Sequence, residues 1–145
     1  FTYVFFIYIT NKTAWMSKKT FFSVEYDFHA SPQLLFQYLS TPSGLSEWFA
    51  DNVNSRGEIF DFIWDDSEEQ AKLIQKKTNE RIRFQWVNGE SDQTDYYFEF
   101  KIEVDEITKD VSLVISDYAD DHEIDESKLL WDNLVADLKQ VLGSS

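Results

Sequence analysis

Asp117, Asp120, Asp121, Glu123, Asp125 and Glu126 crowd one stretch of chain around His122. Hard divalent cations take several oxygen ligands, so this stretch is the first candidate for chemistry. Its spacing lacks the alternating ligands and central glycine of a calcium loop. It reads instead as a solvated loop whose acids favour the positive end of the helix that follows, and no metal or cofactor is expected. An imidazole can serve general acid–base work near neutral pH. His29 and His122 are far apart in sequence, however, and no Ser or Asp partner is identifiable by spacing. Both are expected in structural or exposed roles. Arg81 and Arg83 could reach an anionic group at a pocket mouth, since guanidinium suits carboxylates. Their alternation with Ile82 and Phe84 places them on the face opposite Phe84 and Trp86, where pairing with neighbouring acids is the simpler reading. No P-loop, dinucleotide fingerprint, zinc helix or nucleophile elbow is present. With no cysteine there is no thiolate zinc site and no thiol nucleophile. No catalytic residue is assigned.

The larger signal is aromatic. The chain carries 5 Trp, 7 Tyr and 13 Phe in 145 residues. Phe36, Trp48 and Phe49 sit on short helical segments, Phe62, Trp64, Phe84, Trp86, Phe98 and Phe100 on strands, and Trp131 on a long helix beside Leu134, Val135 and Leu138. These thirteen residues are the candidate lining of a ligand site. Two outcomes are open: a tightly packed aromatic core, or an apolar pocket of roughly 300–1,000 Å³ with few polar groups.

The elements that must position them follow from periodicity. Phe22, Val24, Tyr26 and Phe28 alternate with Ser23, Glu25 and Asp27, the signature of a half-buried strand. Ser31-Pro32 and Thr41-Pro42 each offer an N-cap followed by proline at the first helical position, opening two short helices in tandem. From Asp51 to Ala119 the pattern is strand throughout, broken at Asp65-Asp66-Ser67, Thr78-Asn79, Asn88-Gly89 and Thr108-Lys109-Asp110 by turn chemistry at hairpin lengths. Short connections imply antiparallel pairing. Leu130, Trp131, Leu134, Val135, Leu138, Val141 and Leu142 then follow helical spacing, with Asp125 or Ser127 as candidate N-cap and Gly143 as terminator. One apolar helix stripe needs one large apolar partner, and the sheet is the only one offered. A strongly twisted sheet curls, so a single helix in its concave face touches only part of it.

Charge and length narrow the rest. At −14 net charge the surface repels phosphate backbones and anionic headgroups, so no nucleic-acid partner and no membrane docking or insertion are expected. The apolar run Phe1–Ile9 is shorter than the roughly 20 residues that a spanning helix needs. Met16-Ser17-Lys18-Lys19 reads like an ordinary start, so residues 1–15 are expected to lie outside a single domain spanning 16–145. A cysteine-free acidic chain is compatible with a reducing cytoplasm, the expected location.

Ser31-Pro32-Gln33-Leu34-Leu35-Phe36, followed by Thr41-Pro42-Ser43-Gly44-Leu45-Ser46-Glu47-Trp48-Phe49, resembles the START-like, helix-grip superfamily. That superfamily includes polyketide cyclases and the birch pollen allergen. The resemblance is nearest to the branch of the heat-shock-chaperone ATPase activators. Arg81-Ile82-Arg83-Phe84-Gln85-Trp86 is similar to a strand of that branch, and Trp131 through Leu142 to its terminal helix. One departure is the single Gly57 where the branch often has a glycine pair. The resemblance covers about Thr20 to Leu142 and implies an α+β fold, a curved antiparallel sheet wrapped around a long C-terminal helix with two short helices after the first strand. Fold does not fix function. The leading expectation is non-enzymatic binding of an apolar or amphipathic small molecule, lipid-like or aromatic, between helix and sheet. The alternative is a protein-interaction domain with a protein partner, as in the chaperone activators. A cyclase or dehydratase ranks last, because the inferred inward positions are nearly all apolar.

Overall fold

The alternating and helical patterns become one continuous sheet and one long helix. The computed structural model describes residues 19–88 and 92–143, with side chains for 19–87 and 96–143. The apolar start of the chain, Met16 and the glycine of the Asn88-Gly89 turn lie outside the described residues.

Strand β1 (Thr20–Phe28) leads into helices α1 (Pro32–Ser40) and α2 (Pro42–Leu45). Six strands follow: β2 (Asn52–Arg56), β3 (Ile59–Trp64), β4 (Ser67–Lys77), β5 (Arg81–Asn88), β6 (Asp92–Val104) and β7 (Val111–Ala119). A 3₁₀ turn at Asp121–Glu123 then opens α3 (Ile124–Leu142). The curved sheet has the order β1-β7-β6-β5-β4-β3-β2 with antiparallel neighbours throughout, so the first strand pairs with the last. The register of β1 against β7 sets Phe22 opposite Asp117 and Val24 opposite Ile115. Irregularities between Leu73 and Gln75 in β4, and between Gln85 and Val87 in β5, interrupt the ladders, which bends a strand locally.

Local chemistry sets the boundaries. Ser31 Oγ accepts from Leu34 N at 3.1 Å and Thr41 Oγ1 from Gly44 N at 3.0 Å, so both proline-led helices are capped as their sequences imply. Gly44 has no room for a side chain, since a Cβ there would lie 2.4 Å from the Gln37 carbonyl oxygen. That contact lets α2 fold back closely on α1. The tight turns after β4 and β6 place Asn79 and Lys109 at positive φ, and Gly57 does the same between β2 and β3.

The N-cap of α3 differs from expectation. Neither Asp125 nor Ser127 caps it; the helix begins at Ile124 as a continuation of the 3₁₀ turn, with Glu123 at the cap and no side-chain cap bond. Asp125 falls instead in the first turn, where its charge faces the positive helix end, and Ser127 is buried. At the other end Gly143, in the left-handed conformation, donates its N–H to Lys139 and Gln140 carbonyls. Two side-chain ties hold α3 beside β1. Tyr26 Oη donates to Asp132 Oδ1 at 2.7 Å, and Lys139 Nζ lies 5.3 Å from the Phe28 ring centroid. Burial and the Asp132 carboxylate push the Tyr26 phenol well above its ordinary range. Among the described residues no helix is long and apolar enough to cross a membrane.

Candidate functional site

The inward faces of β3, β5 and β6 follow their alternation: Phe62, Trp64, Phe84, Trp86, Phe98 and Phe100 are all buried. Trp131, Leu134, Val135 and Leu138 of α3 are buried against them, as are Phe36 and Trp48 from the short helices. The thirteen candidate residues therefore share one interior.

Phe49 is at its centre. The turn after α2 carries it in, with its N–H donating to the Leu45 carbonyl at 2.8 Å. Its ring lies nearly parallel to Trp131 of α3 (5.8 Å between centroids, 17° between planes) and to Phe98 of β6 (5.3 Å, 27°). Phe62, Trp64 and Phe100 meet it edge-on at 5.1–6.2 Å. Helix and sheet are thus bridged here by a ring contributed by a third element. Phe84 and Trp86 extend the cluster by packing on Phe98 at 5.1 and 4.9 Å. Offset and edge-on geometries of this kind suit the aromatic quadrupole.

Three buried indole nitrogens donate within the protein. Trp48 Nε1 donates to the Tyr38 carbonyl at 2.8 Å and Trp64 Nε1 to the Phe49 carbonyl at 3.2 Å. The second bond ties the Phe49 backbone to β3. Trp131 Nε1 donates to a carboxylate, Asp117 Oδ2, at 3.1 Å. Asp117 is 1% exposed, and its other oxygen accepts from Tyr118 N at 2.8 Å. Its inward position corrects the expectation that the acidic stretch is wholly solvated. The missed signal is simple: Val111, Leu113, Ile115 and Asp117 are one alternating series, and β7 runs two residues past Asp117.

The rest of that stretch is a junction between β7 and α3. Lys19 and Asp120 are both buried and face each other at 3.6 Å, and Thr20 Oγ1 bonds the Asp121 carboxylate. Oxygen and nitrogen ligand atoms of Asp120, His122 and Glu123 lie within 4.8 Å of one another. Burial and a hydrogen bond with Asp120 raise the Glu123 carboxyl above its usual range. The cation present beside Asp120 is the Lys19 ammonium.

The outward face has its own aromatic group. Arg83 bonds Glu99 Oε1 through Nη2 at 2.8 Å and through Nε at 2.9 Å, and Arg81 Nε approaches the same oxygen at 3.9 Å. The Arg83 guanidinium sits 4.1 Å from the Tyr97 ring centroid. Tyr118 packs on Tyr97 at 5.2 Å and on Phe21 at 5.4 Å, and Phe21 is 48% exposed. Burial and the Tyr97 hydroxyl push the Tyr118 phenol up to about 12. The two arginines accordingly serve the wet face, as their alternation implies, and His29 is exposed at the end of β1. A cleft of about 390 Å³ lies between the turn after α2 and the last turns of α3, lined by Trp48, Ala50, Val141 and three acids, Glu47, Asp51 and Asp137.

A family model described as the START-like superfamily domain matches residues 16–144. A Bacteroides fragilis protein, BfR322, solved by NMR, is 35% identical over 86% of this chain and 91% of its own, with a TM-score of 0.61. The Aha1 dimer from Colwellia psychrerythraea is 18% identical over 85% of this chain and 96% of its own, with a TM-score of 0.71. Protein MLL2253 from Mesorhizobium loti is 15% identical over 86% and 97%, with a TM-score of 0.70. No curated protein matches the sequence.

Proposed function

This chain belongs to the START-like superfamily, and from that premise we propose that it binds an apolar or amphipathic small molecule, lipid-like or aromatic, between α3 and the sheet. The supporting observation is the Trp131–Phe49–Phe98 stack. A flat guest that takes the place of the Phe49 ring inherits two aromatic faces and an apolar surround. Its burial is worth roughly 25 cal/mol per Å² of apolar surface, and each good ring pair adds about 0.5–1.5 kcal/mol. Phe49 resides on a turn behind a four-residue helix rather than on α3 or the sheet. Candidate lining residues are the thirteen named above, and no catalytic role is assigned to any of them.

The test is displacement of an environment-sensitive apolar dye, together with melting temperature against a lipid and aromatic metabolite panel. Binding to the native state raises the melting temperature by mass action. A panel that neither displaces the dye nor shifts melting overturns the reading.

A protein-interaction role is the second reading, favoured by the partly exposed Phe21–Tyr118–Tyr97 group on the outward face. Pulldown with Phe21→Ser beside the parent chain tests it, and loss of a captured chaperone from the variant alone favours it. We also read the domain as cytoplasmic and as beginning near Met16, with residues 1–15 outside it. Cell fractionation and intact mass of the native chain test both points.

A further inference from the structure

We infer that β1 takes an added antiparallel strand from a protein partner, one whose outward side chains are basic opposite Glu25 and Asp27 and aromatic opposite Phe21. This rests on the protein-interaction reading above and is independent of the small-molecule one. β1 ends the sheet: its one strand partner is β7, and among the described residues no backbone hydrogen bond reaches its other edge. Exposed edges are commonly blunted by shortness, bulges, proline or lysine. β1 has none of these. It runs nine residues in unbroken register and contains no Pro or Lys. The opposite edge strand, β2, is only five residues long. Backbone groups left open along a strand like β1 are a template for strand addition.

The outward row of β1 selects the partner. Phe21, Ser23, Glu25 and Asp27 are all exposed. Phe21 packs on Tyr118 and Tyr97 at 5.4 and 6.4 Å between ring centroids. Glu25 and Asp27 line a hollow of about 560 Å³ with Glu103, Asp105 and Asp110. Lys101 lies 3.2 Å from Glu103, but among the described residues no ion pair reaches Glu25, Asp27 or Asp110. These acids repel a second copy of a chain with net charge −14 and attract a basic strand. Side chains directly opposite each other in an antiparallel pair interact, favourably for aromatic pairs and opposite charges, unfavourably for like charges. On the inner side Val24 and Tyr26 are half-buried, and Leu129, one helical turn before the Asp132 that Tyr26 bonds, is 60% exposed. The alternate, inward side chains of the added strand are therefore apolar.

The probe is an end-capped, fluorescently labelled peptide, Lys-Val-Lys-Val-Thr-Ile-Phe, titrated onto the full chain by anisotropy beside a version with Glu at both Lys positions. The Lys peptide should bind at least about tenfold tighter at low salt, with the preference shrinking in about 0.5 M salt. In a Glu25→Lys, Asp27→Lys double variant the preference should invert. Two further peptides carry N-methyl groups, one on its Val and Ile residues, the other on its second Lys and Thr. Only one alternate set of amides faces β1, so one version should lose at least about tenfold in affinity and the other less than about threefold. Equal loss from the two, or equal binding of the Lys and Glu peptides by the parent chain, overturns the inference. Both readouts use the parent chain and stand independently of how well the variant folds. Hydrogen exchange on the peptide-free chain tests whether the edge is open. Protection of the β1 amides that do not pair with β7 assigns the edge to a second copy or to residues 1–15 and overturns the inference. If the peptides fail to bind while capture through Phe21 succeeds, the protein-interaction reading stands and strand addition falls. If both fail, both readings fall.

Discussion

The two faces of the sheet both gather aromatic rings at similar distances, yet they are different kinds of structure. On the inner face Phe49 is wedged between Trp131 and Phe98, with further rings edge-on to it, and Trp131 donates its indole N–H to the buried Asp117 carboxylate. On the outer face Tyr97 lies under Arg83, Glu99 neutralises that arginine, and Phe21 leaves half its surface in water. The difference is solvation. Inner rings are stabilised by removal from water and by close packing, so each lost atom costs transfer energy and leaves a void. On the outer face Phe21 and the two arginines keep part of their hydration, so truncation there is cheaper.

The largest break in that contrast should come from Phe49→Ala. A buried ring removed from such a cluster costs about 3–5 kcal/mol, read as a lowered midpoint in urea denaturation. Part of the loss should return when indole or benzene is added, as an apolar cavity takes an apolar guest. A loss under about 1 kcal/mol would mean that the inner face packs no more tightly than the outer. Asp117→Ala comes next. It leaves the buried Trp131 N–H without its acceptor and should cost about 1–3 kcal/mol. Pairing it with Trp131→Phe in a double-mutant cycle should show coupling between the two sites, and strict additivity would argue that the bond contributes nothing.

Arg83→Ala on the outer face should cost no more than about 1 kcal/mol, shrinking further in high salt, because Arg83 is itself partly exposed and Arg81 remains 3.9 Å from the Glu99 carboxylate. A salt-insensitive loss as large as that of Asp117→Ala would erase the distinction between the faces. The smallest expected effect is on pH. Burial and Asp120 raise the Glu123 carboxyl in the folded state. A raised acid contributes stability while protonated and loses it as pH climbs through the folded-state value. Glu123→Gln should therefore melt about 1–2 °C above the parent near neutral pH, with the gap closing in acid below the ordinary glutamate range. A gap that is constant with pH would remove the charge explanation.

Much of the fold was legible because its signals are local and periodic. Ser31-Pro32 and Thr41-Pro42 mark helix starts through hydrogen bonds spanning three residues, and the structure contains both. The alternation of Phe22, Val24, Tyr26 and Phe28 sorts side chains by face whatever the partner strand is. β2 was less legible: Asn52–Arg56 has one buried apolar residue, Val53, and owes its strand state to pairing with β3. The start of α3 was misread because a 3₁₀ turn at Asp121–Glu123 runs straight into the helix ahead of Asp125 and Ser127, with no side-chain cap bond.

The amino-acid order by itself determined the element types, the inward aromatic set and the wet face that holds Arg81 and Arg83, since each follows from repeats of two or 3.6 residues. Only the tertiary structure decided that Phe49 fills the centre of the helix–sheet space and that Asp117 turns inward to hold Trp131. Those contacts join residues on different elements, the first pair far apart in sequence. Whether a ring stacks or an acid is buried depends on how close two elements approach in space, and residue spacing along the chain carries no record of that distance.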